Sequence, residues 1–320
     1  VDSSHLQPCS RLAAMGALVL LSLLIAIGFF ADSRGLDYVD FTTDQLSMMS
    51  ICVRQDYPGA LSSDMVAGQP GSEGYYIPAY VDLVRLASMP DHDYVRGMSR
   101  VLLVSTVLYV VGWWLLLSIW LSPWNAVALA FLARLVLPLP GGETWGVGGM
   151  WTMLPRTVYA ALLPWLLWLW LRHGQRRFAW AGVGSLAGLL INMHPLSGIA
   201  VLAGILAGEG ARVFAAGQRG LTLTRHLLVG LACAVVGALP LALVSSSAEG
   251  GPPIGIEIFR QALALRVPSD VLYPSLYLRQ WMHPVLVLFV LAPLLLLRWP
   301  AGALWRERRR DLLALGAFAG

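Results

Sequence analysis

Lysine is absent from this 320-residue chain: all 22 basic side chains are arginine. Charge of either sign is scarce. Asp, Glu, Lys and Arg together make up 12% of the residues, against about a quarter in an ordinary soluble domain. So little charge cannot cover a water-soluble fold. Cysteine is also scarce. Cys9, Cys52 and Cys233 lie far apart, which excludes a disulfide framework, a paired redox motif and a thiolate metal site. The chain contains no Gly-rich phosphate loop, no GxSxG turn and no zinc-ligand spacing, so the familiar soluble-enzyme signatures are excluded too. The net charge of +4 gives no reason to expect a nucleic-acid partner, because the arginines fall in short connections between apolar runs.

What is abundant is apolar: 57% of the residues are hydrophobic. The expected fold is all-α, a polytopic transmembrane helical bundle forming a single membrane domain over residues 1–320. Residues 12–30 carry no charge and are long enough to cross a bilayer of about 30 Å. Further spans are expected at about 99–121, 125–139, 152–171, 226–247 and 283–297, with a last segment from about 311. Residues 137–151 are rich in Gly and Pro and too irregular for a lipid-exposed helix. The chain begins at Val1 and stops inside an apolar run, so it is read as a fragment lacking a C-terminal part.

Residues 178–191 and 195–208 form two apolar pieces joined at Asn192-Met193-His194-Pro195. Fourteen helical residues reach only about 21 Å, so two readings arise: a pair of short helices, or one long helix kinked at Pro195. The arginines favour the pair. With a cytoplasmic N-terminus, a pair leaves Arg172, Arg176, Arg177, Arg212, Arg219, Arg225 and the Arg298–Arg310 group on the inside, as the positive-inside tendency demands. The expected location is a bacterial inner membrane, with the lipid bilayer as solvent.

Residues 31–98 hold ten acids against four arginines, concentrated in a segment expected to form a large outer loop. Apolar Tyr38, Phe41, Leu46, Met49 and Cys52 recur near helical spacing, which predicts an interfacial helix over about 38–53. Asp56-Tyr57-Pro58-Gly59 signals a turn, and residues 77–89 read as a second short helix.

Asp37 and Asp40 follow the first span closely and share a face if helical. Paired carboxylates suit a general base or a divalent-cation ligand pair; helix capping accounts for the same spacing. Asp64 and Glu143 are weaker supporting candidates; Asp64 also reads as a helix cap, and Glu143 more readily as a solvated loop charge. Arg156, near the outer end of a span, has the forked guanidinium that grips a phosphate, or it snorkels to the interface. His194 can contact a phosphate or simply mark a turn.

The order of these features resembles the C-type (GT-C) integral-membrane glycosyltransferases. GLDYVDF resembles the acidic motif that opens their first outer loop, and YYIPAYVDLVRL the segment that returns that loop to the membrane. MLPRTVYAALLPWLLWLW followed by AGLLINMHPLSGIAVLAG is similar to the Arg-led helix and His-Pro turn of bacterial members. The resemblance spans roughly residues 12–208. It implies a polyprenyl-phosphate-linked sugar as donor, Asp37 or Asp40 as catalytic base, Arg156 and His194 on the donor phosphate, and in some members a divalent cation. The chain departs from the pattern in having Asp-Tyr-Val-Asp rather than adjacent acids. A transporter or flippase for a lipid-linked substrate, and a non-catalytic membrane subunit, are the alternatives.

Overall fold

The computed structural model describes residues 8–33, 43–64, 77–135, 153–174, 176–215, 221–247 and 261. Among these residues the chain is all-helical, with nine helices and no strand: α1 (Pro8–Ser33), α2 (Thr43–Asp56), α3 (Pro78–Ser88), α4 (Tyr94–Leu117), α5 (Pro123–Leu135), α6 (Pro155–His173), α7 (Arg177–Ile191), α8 (Pro195–Ala215) and α9 (Leu221–Ser247). Stretches within α4 (Tyr94–Leu117), α8 (Ser197–Phe214) and α9 (Thr224–Leu243) are long and apolar enough to span a membrane. Leu12–Leu24 and Phe178–Ile191 are shorter apolar stretches. Large apolar side chains stand exposed along α1 (Val19, Leu23, Ile27) and α9 (Val235, Val236, Leu243), as lipid-facing surfaces do.

Local chemistry sets several boundaries. Proline occupies the first turn of α3 and of α6, where its missing N–H costs nothing. Asp93 caps α4 by accepting from the Arg96 backbone N–H at 3.0 Å. The expected 38–53 helix is α2: it runs on to Asp56, and its described part opens at Thr43 with Asp44 in the first turn, residues 38–42 lying outside the described residues. The Asp56–Gly59 turn is present, Ala60 N–H donating to the Tyr57 carbonyl. The span expected at 99–121 starts at Tyr94, because Asp93 supplies the cap.

Side-chain bonds fix the helix directions. Tyr159 near the start of α6 donates to the Ser197 carbonyl near the start of α8 at 3.0 Å, and Trp170 near the end of α6 donates to Glu209 near the end of α8 at 2.9 Å. These two helices are therefore parallel. Trp180 near the start of α7 donates to the His226 carbonyl of α9 at 2.8 Å, and Asn192 at the end of α7 donates to the Gly237 carbonyl at 2.9 Å, so α7 and α9 are parallel as well. Glu209 on α8 faces His226 near the start of α9, which makes α8 antiparallel to both. The Asn192–Pro195 segment is a turn between two antiparallel helices, not a kink in one.

One part of that expectation is corrected. The second helix is not a fourteen-residue piece; α8 has 21 residues. Gly208-Glu209-Gly210 ends the apolar run in sequence, but Glu209 is satisfied inside the protein, so the helix continues through it. Arg212, expected in an inner loop, is on α8 and only 2% exposed.

The α7–α9 contact is backbone on backbone. A Cβ at Gly188 would lie 2.0 Å from the Ala234 carbonyl oxygen, and one at Gly184 2.3 Å from that of Gly230. Such approach is available only to glycine. Pro240 interrupts α9, and near it the Gly237 carbonyl and Leu241 N–H are both bonded by Asn192, whose Oδ1 accepts from Leu241 at 2.7 Å. One buried amide thus answers two backbone groups at the proline site.

The helices α2 and α3 pack on one end of the bundle. Met48, Met49, Ile51 and Cys52 of α2 and Tyr80, Val81 and Val84 of α3 join Met98, Val101 and Leu102 of α4 in one buried cluster with Met153, Leu154 and Val158; Met193, in the α7–α8 turn, packs against it. Burying side chains of this size contributes about 1.5–3 kcal/mol each. This end is called the α2–α3 end below.

Candidate functional site

Arg156 is the second residue of α6, partly buried, and Tyr159 follows one turn later on the same face. His194 lies in the α7–α8 turn. Its backbone N–H donates to the Leu190 carbonyl at 3.1 Å and its carbonyl accepts from Gly198 at 2.8 Å, which starts α8. The imidazole is tilted against the Tyr159 ring, 5.9 Å between centroids. Arg156 and His194, separate in sequence, thus come to the same end of the bundle, His194 against Tyr159 and Arg156 one helical turn before it. Tyr159 is fully buried and held by its bond to Ser197. Met193 ties the turn to the α2–α3 cluster, so the turn adjoins the helices of the acidic segment.

Asp37, Asp40 and Glu143 lie outside the described residues, so their placement relative to this pair is not given. Asp64 is exposed, beyond the turn that follows α2. The side chain of Arg134 is likewise outside the description.

The acid of this segment that the fold does hold is Asp56. Its side chain is 6% exposed. It accepts from Arg85 Nε at 2.8 Å and from Arg85 Nη2, from the Tyr94 hydroxyl at 2.8 Å, and has His92 Nδ1 at 3.1 Å. His92 adopts φ 53°, a left-handed conformation that costs an ordinary residue about 1 kcal/mol and brings its ring to the carboxylate. Burial pulls the Asp56 pKa upward, but the hydrogen bonds from Arg85, Tyr94 and His92 outweigh it and hold the carboxyl below its usual range. Asp56 is therefore a permanent anion locking α2, α3 and the start of α4 together, and a poor base. Burial, with the nearby Asp56 charge, pushes the Cys52 thiol up to about 12, so it is no nucleophile at neutral pH.

A second polar cluster occupies the opposite end, and nothing in the sequence reading singled it out. Glu209 is 1% exposed. Its Oε2 accepts from Trp170 at 2.9 Å and lies 2.6 Å from Arg212 Nη2, while Oε1 is 2.9 Å from His226 Nε2. The His226 ring stacks on Trp180, 4.9 Å between centroids at 12°. One signal was available: Glu209 is the only acid between residues 144 and 248, and it sits within a helix-length run with an arginine at i+3. Asn192 had no comparable signal, because its partners Gly237 and Leu241 are distant in sequence.

Among the described residues no group of three or more His, Cys, Asp or Glu side chains is arranged to hold a metal ion. No family model, no curated protein and no solved structure matches this chain. What the fold and these contacts define is a class: an all-helical protein with three helices able to span a membrane, carrying polar clusters at both ends of its helices.

Proposed function

We propose that this chain is a membrane glycosyltransferase of the GT-C type, which moves a sugar from a polyprenyl-phosphate donor to a lipid or cell-envelope acceptor on the outer face of a bacterial inner membrane. One observation carries the reading: His194 packs on buried Tyr159, one turn after Arg156 on α6, at the bundle end against which the acidic segment's helices pack. A guanidinium and an imidazole beside a carboxylate-rich segment suit the departure of a phosphate from a sugar while an acceptor hydroxyl attacks.

The step is a direct displacement. The acceptor oxygen bonds to the anomeric carbon as the bond from that carbon to the phosphate oxygen breaks. Asp37 or Asp40 takes the hydroxyl proton, and the bonding electrons leave with the polyprenyl phosphate, whose charge Arg156 and His194 stabilise. Tyr159 and the Asn192 amide act by position, fixing the start of α6 and the α7–α8 turn. Any divalent ion would draw its ligands from Asp37 and Asp40. The N-terminus is cytoplasmic in this reading, the arrangement that leaves the arginine-rich turns inside.

The test is transfer from a panel of polyprenyl-phosphate hexoses and pentoses by the full chain in proteoliposomes. Arg156→Gln should lower kcat/KM by about 100-fold, the scale for removing one donor to a developing oxyanion. Asp40→Asn should abolish transfer, and exposed Asp64→Asn should leave it nearly unchanged. Normal turnover in both Asp37→Asn and Asp40→Asn would remove the base from the mechanism, and no transfer from any donor by the wild type would sink the reading.

A further inference from the structure

Two turns at the α2–α3 end carry strain in their backbone. Among the described residues two non-glycine positions have positive φ, Leu61 at 59° and His92 at 53°. Side chains of this size seldom adopt that conformation, and such strain gathers at functional positions. Leu61 lies in the turn after α2, which also carries Tyr57, and His92 lies in the turn between α3 and α4. The two turns meet: the Tyr57 ring stands at 65° to the imidazole of His92, 5.8 Å between centroids. Tyr94 also stands against that imidazole, at 6.4 Å and 68°.

The imidazole is held by one nitrogen and presents the other. The Asp56 carboxylate faces Nδ1 at 3.1 Å and keeps a proton there, while no described residue bonds Nε2. The neutral ring then offers a lone pair at Nε2. His92 is 30% exposed and Tyr57 51% exposed, so a fixed acceptor nitrogen and an aromatic ring stand side by side in reach of water. The neighbouring charges say what fits them. Arg85 is engaged by Asp56, Gln55 and Asp82, Arg96 by Asp93, and Arg100 by the Ala87 and Met89 carbonyls. An anion finds no free guanidinium on α3 or α4, and exposed Asp91 repels it. A neutral ligand with hydroxyls at its edge and C–H bonds on its face suits both groups. Its hydroxyl donates to Nε2, and its C–H face lies on the negative face of the aromatic ring.

We propose that Tyr57 and His92 form a carbohydrate-binding subsite, with Tyr57 the platform for one face of an uncharged sugar ring and His92 Nε2 the acceptor for one of its hydroxyls. Asp56 is the positioning residue, because it fixes the imidazole. Tyr94, whose hydroxyl shares Asp56 Oδ2 with His92, belongs to the same buried cluster as Leu154 and Val158, which flank Arg156 in sequence. The subsite is therefore at the same end of the bundle as Arg156 and His194. Naming the bound sugar as the acceptor rests on the transferase reading; the binding itself does not. The same sugar arrives on a free glycan or on a glycolipid.

The experiment is saturation-transfer NMR on the full chain in nanodiscs, with methyl hexosides, methyl pentosides and short-chain diacylglycerol glycosides as probes and inorganic phosphate as competitor. The informative variant is His92→Asn. Asn keeps an amide donor for Asp56 and tolerates a left-handed backbone, but it has no Nε2. Its Tm should match the wild type while affinity for the bound glycoside falls about tenfold, the scale of one hydrogen bond. Exposed Tyr57→Leu leaves Asp56 untouched and should weaken binding to a similar degree; it carries the test alone if His92→Asn fails to fold. Binding of a methyl glycoside would mean that a free glycan suffices, and binding of the diacylglycerol glycosides alone, lost in the same variants, would assign the subsite to a glycolipid. No binding of any probe, unchanged affinity in either folded variant, or displacement by inorganic phosphate would overturn the subsite. Sugar binding without transfer from any polyprenyl-phosphate donor would instead sink the transferase reading and leave the subsite standing.

Discussion

Asp56 and Glu209 are both withdrawn from water, at opposite ends of the bundle, and the fold treats them differently. Asp56 lies in a segment crowded with acids, beyond the spanning helices, and is surrounded by donors from three side chains. Its partner Arg85 has further contacts of its own, to Gln55 at 3.0 Å and Asp82 at 3.3 Å. Glu209 sits within α8 and is equally well attended; Arg212 Nη2 lies 2.6 Å from it, but Arg212 Nε and Nη1 have no hydrogen-bond partner among the described residues. A network whose donors are met ties its helices firmly to one another, whereas a buried guanidinium with unmet donors carries a cost that the rest of the fold must offset.

The largest effect should come from breaking the Glu209 end. Glu209→Ala leaves a buried guanidinium with no counter-charge, a loss of about 3–5 kcal/mol. Thermal unfolding in detergent should therefore show the biggest drop in Tm for this variant, and a Tm near that of the wild type would mean Arg212 is hydrated in solution.

Asn192→Leu comes next. It removes the amide that answers the Gly237 carbonyl and Leu241 N–H, and each unsatisfied group costs about 1–3 kcal/mol. Hydrogen exchange should quicken at Leu241 while the α2–α3 end stays protected; uniform protection across α9 would show that the amide is dispensable.

Asp56→Asn should cost about 2 kcal/mol, since it weakens a largely buried pair whose arginine still reaches water. Its pH dependence has a definite sign. The folded pKa of Asp56 lies below its unfolded value, so the stabilisation is fully present above the unfolded pKa of about 3.9. It is lost as pH falls through the lower folded value. The stability gap between wild type and Asp56→Asn should stay constant above about pH 5 and shrink only under stronger acid. A gap that closes between pH 5 and 7 would contradict the carboxylate as the lock.

How far the sequence could be read follows the same division. Apolar runs, prolines and arginine bias were enough to anticipate the helices now seen as α1 and α4–α9, and even the α7–α8 turn, because span length and charge parity are properties of local sequence. The short helices α2 and α3 were legible from their apolar spacing, with α2 running three residues further, to Asp56. The polar networks were not. Asp56 reads as a turn residue until Arg85, His92 and Tyr94 are brought to it. Glu209 reads as the end of a helix until Trp170 and His226 cover it, and Asn192 as a turn marker until it reaches the Pro240 region. In each case the partner lies on another helix. Arg156 and His194 were singled out for residue type and position, and bringing His194 against Tyr159, one turn from Arg156, required the packing of α6 on α8.

The central claim is that the acidic segment and the Arg156–His194 pair belong to one site. The most direct measurement is a distance: spin labels at positions 40 and 194 of the otherwise cysteine-free chain in nanodiscs, read by pulsed dipolar spectroscopy. The account predicts a main population within about 20 Å, two helix diameters. A single population near 40 Å, about the thickness of a bilayer with its headgroups, would set Asp40 and His194 on opposite sides and contradict it.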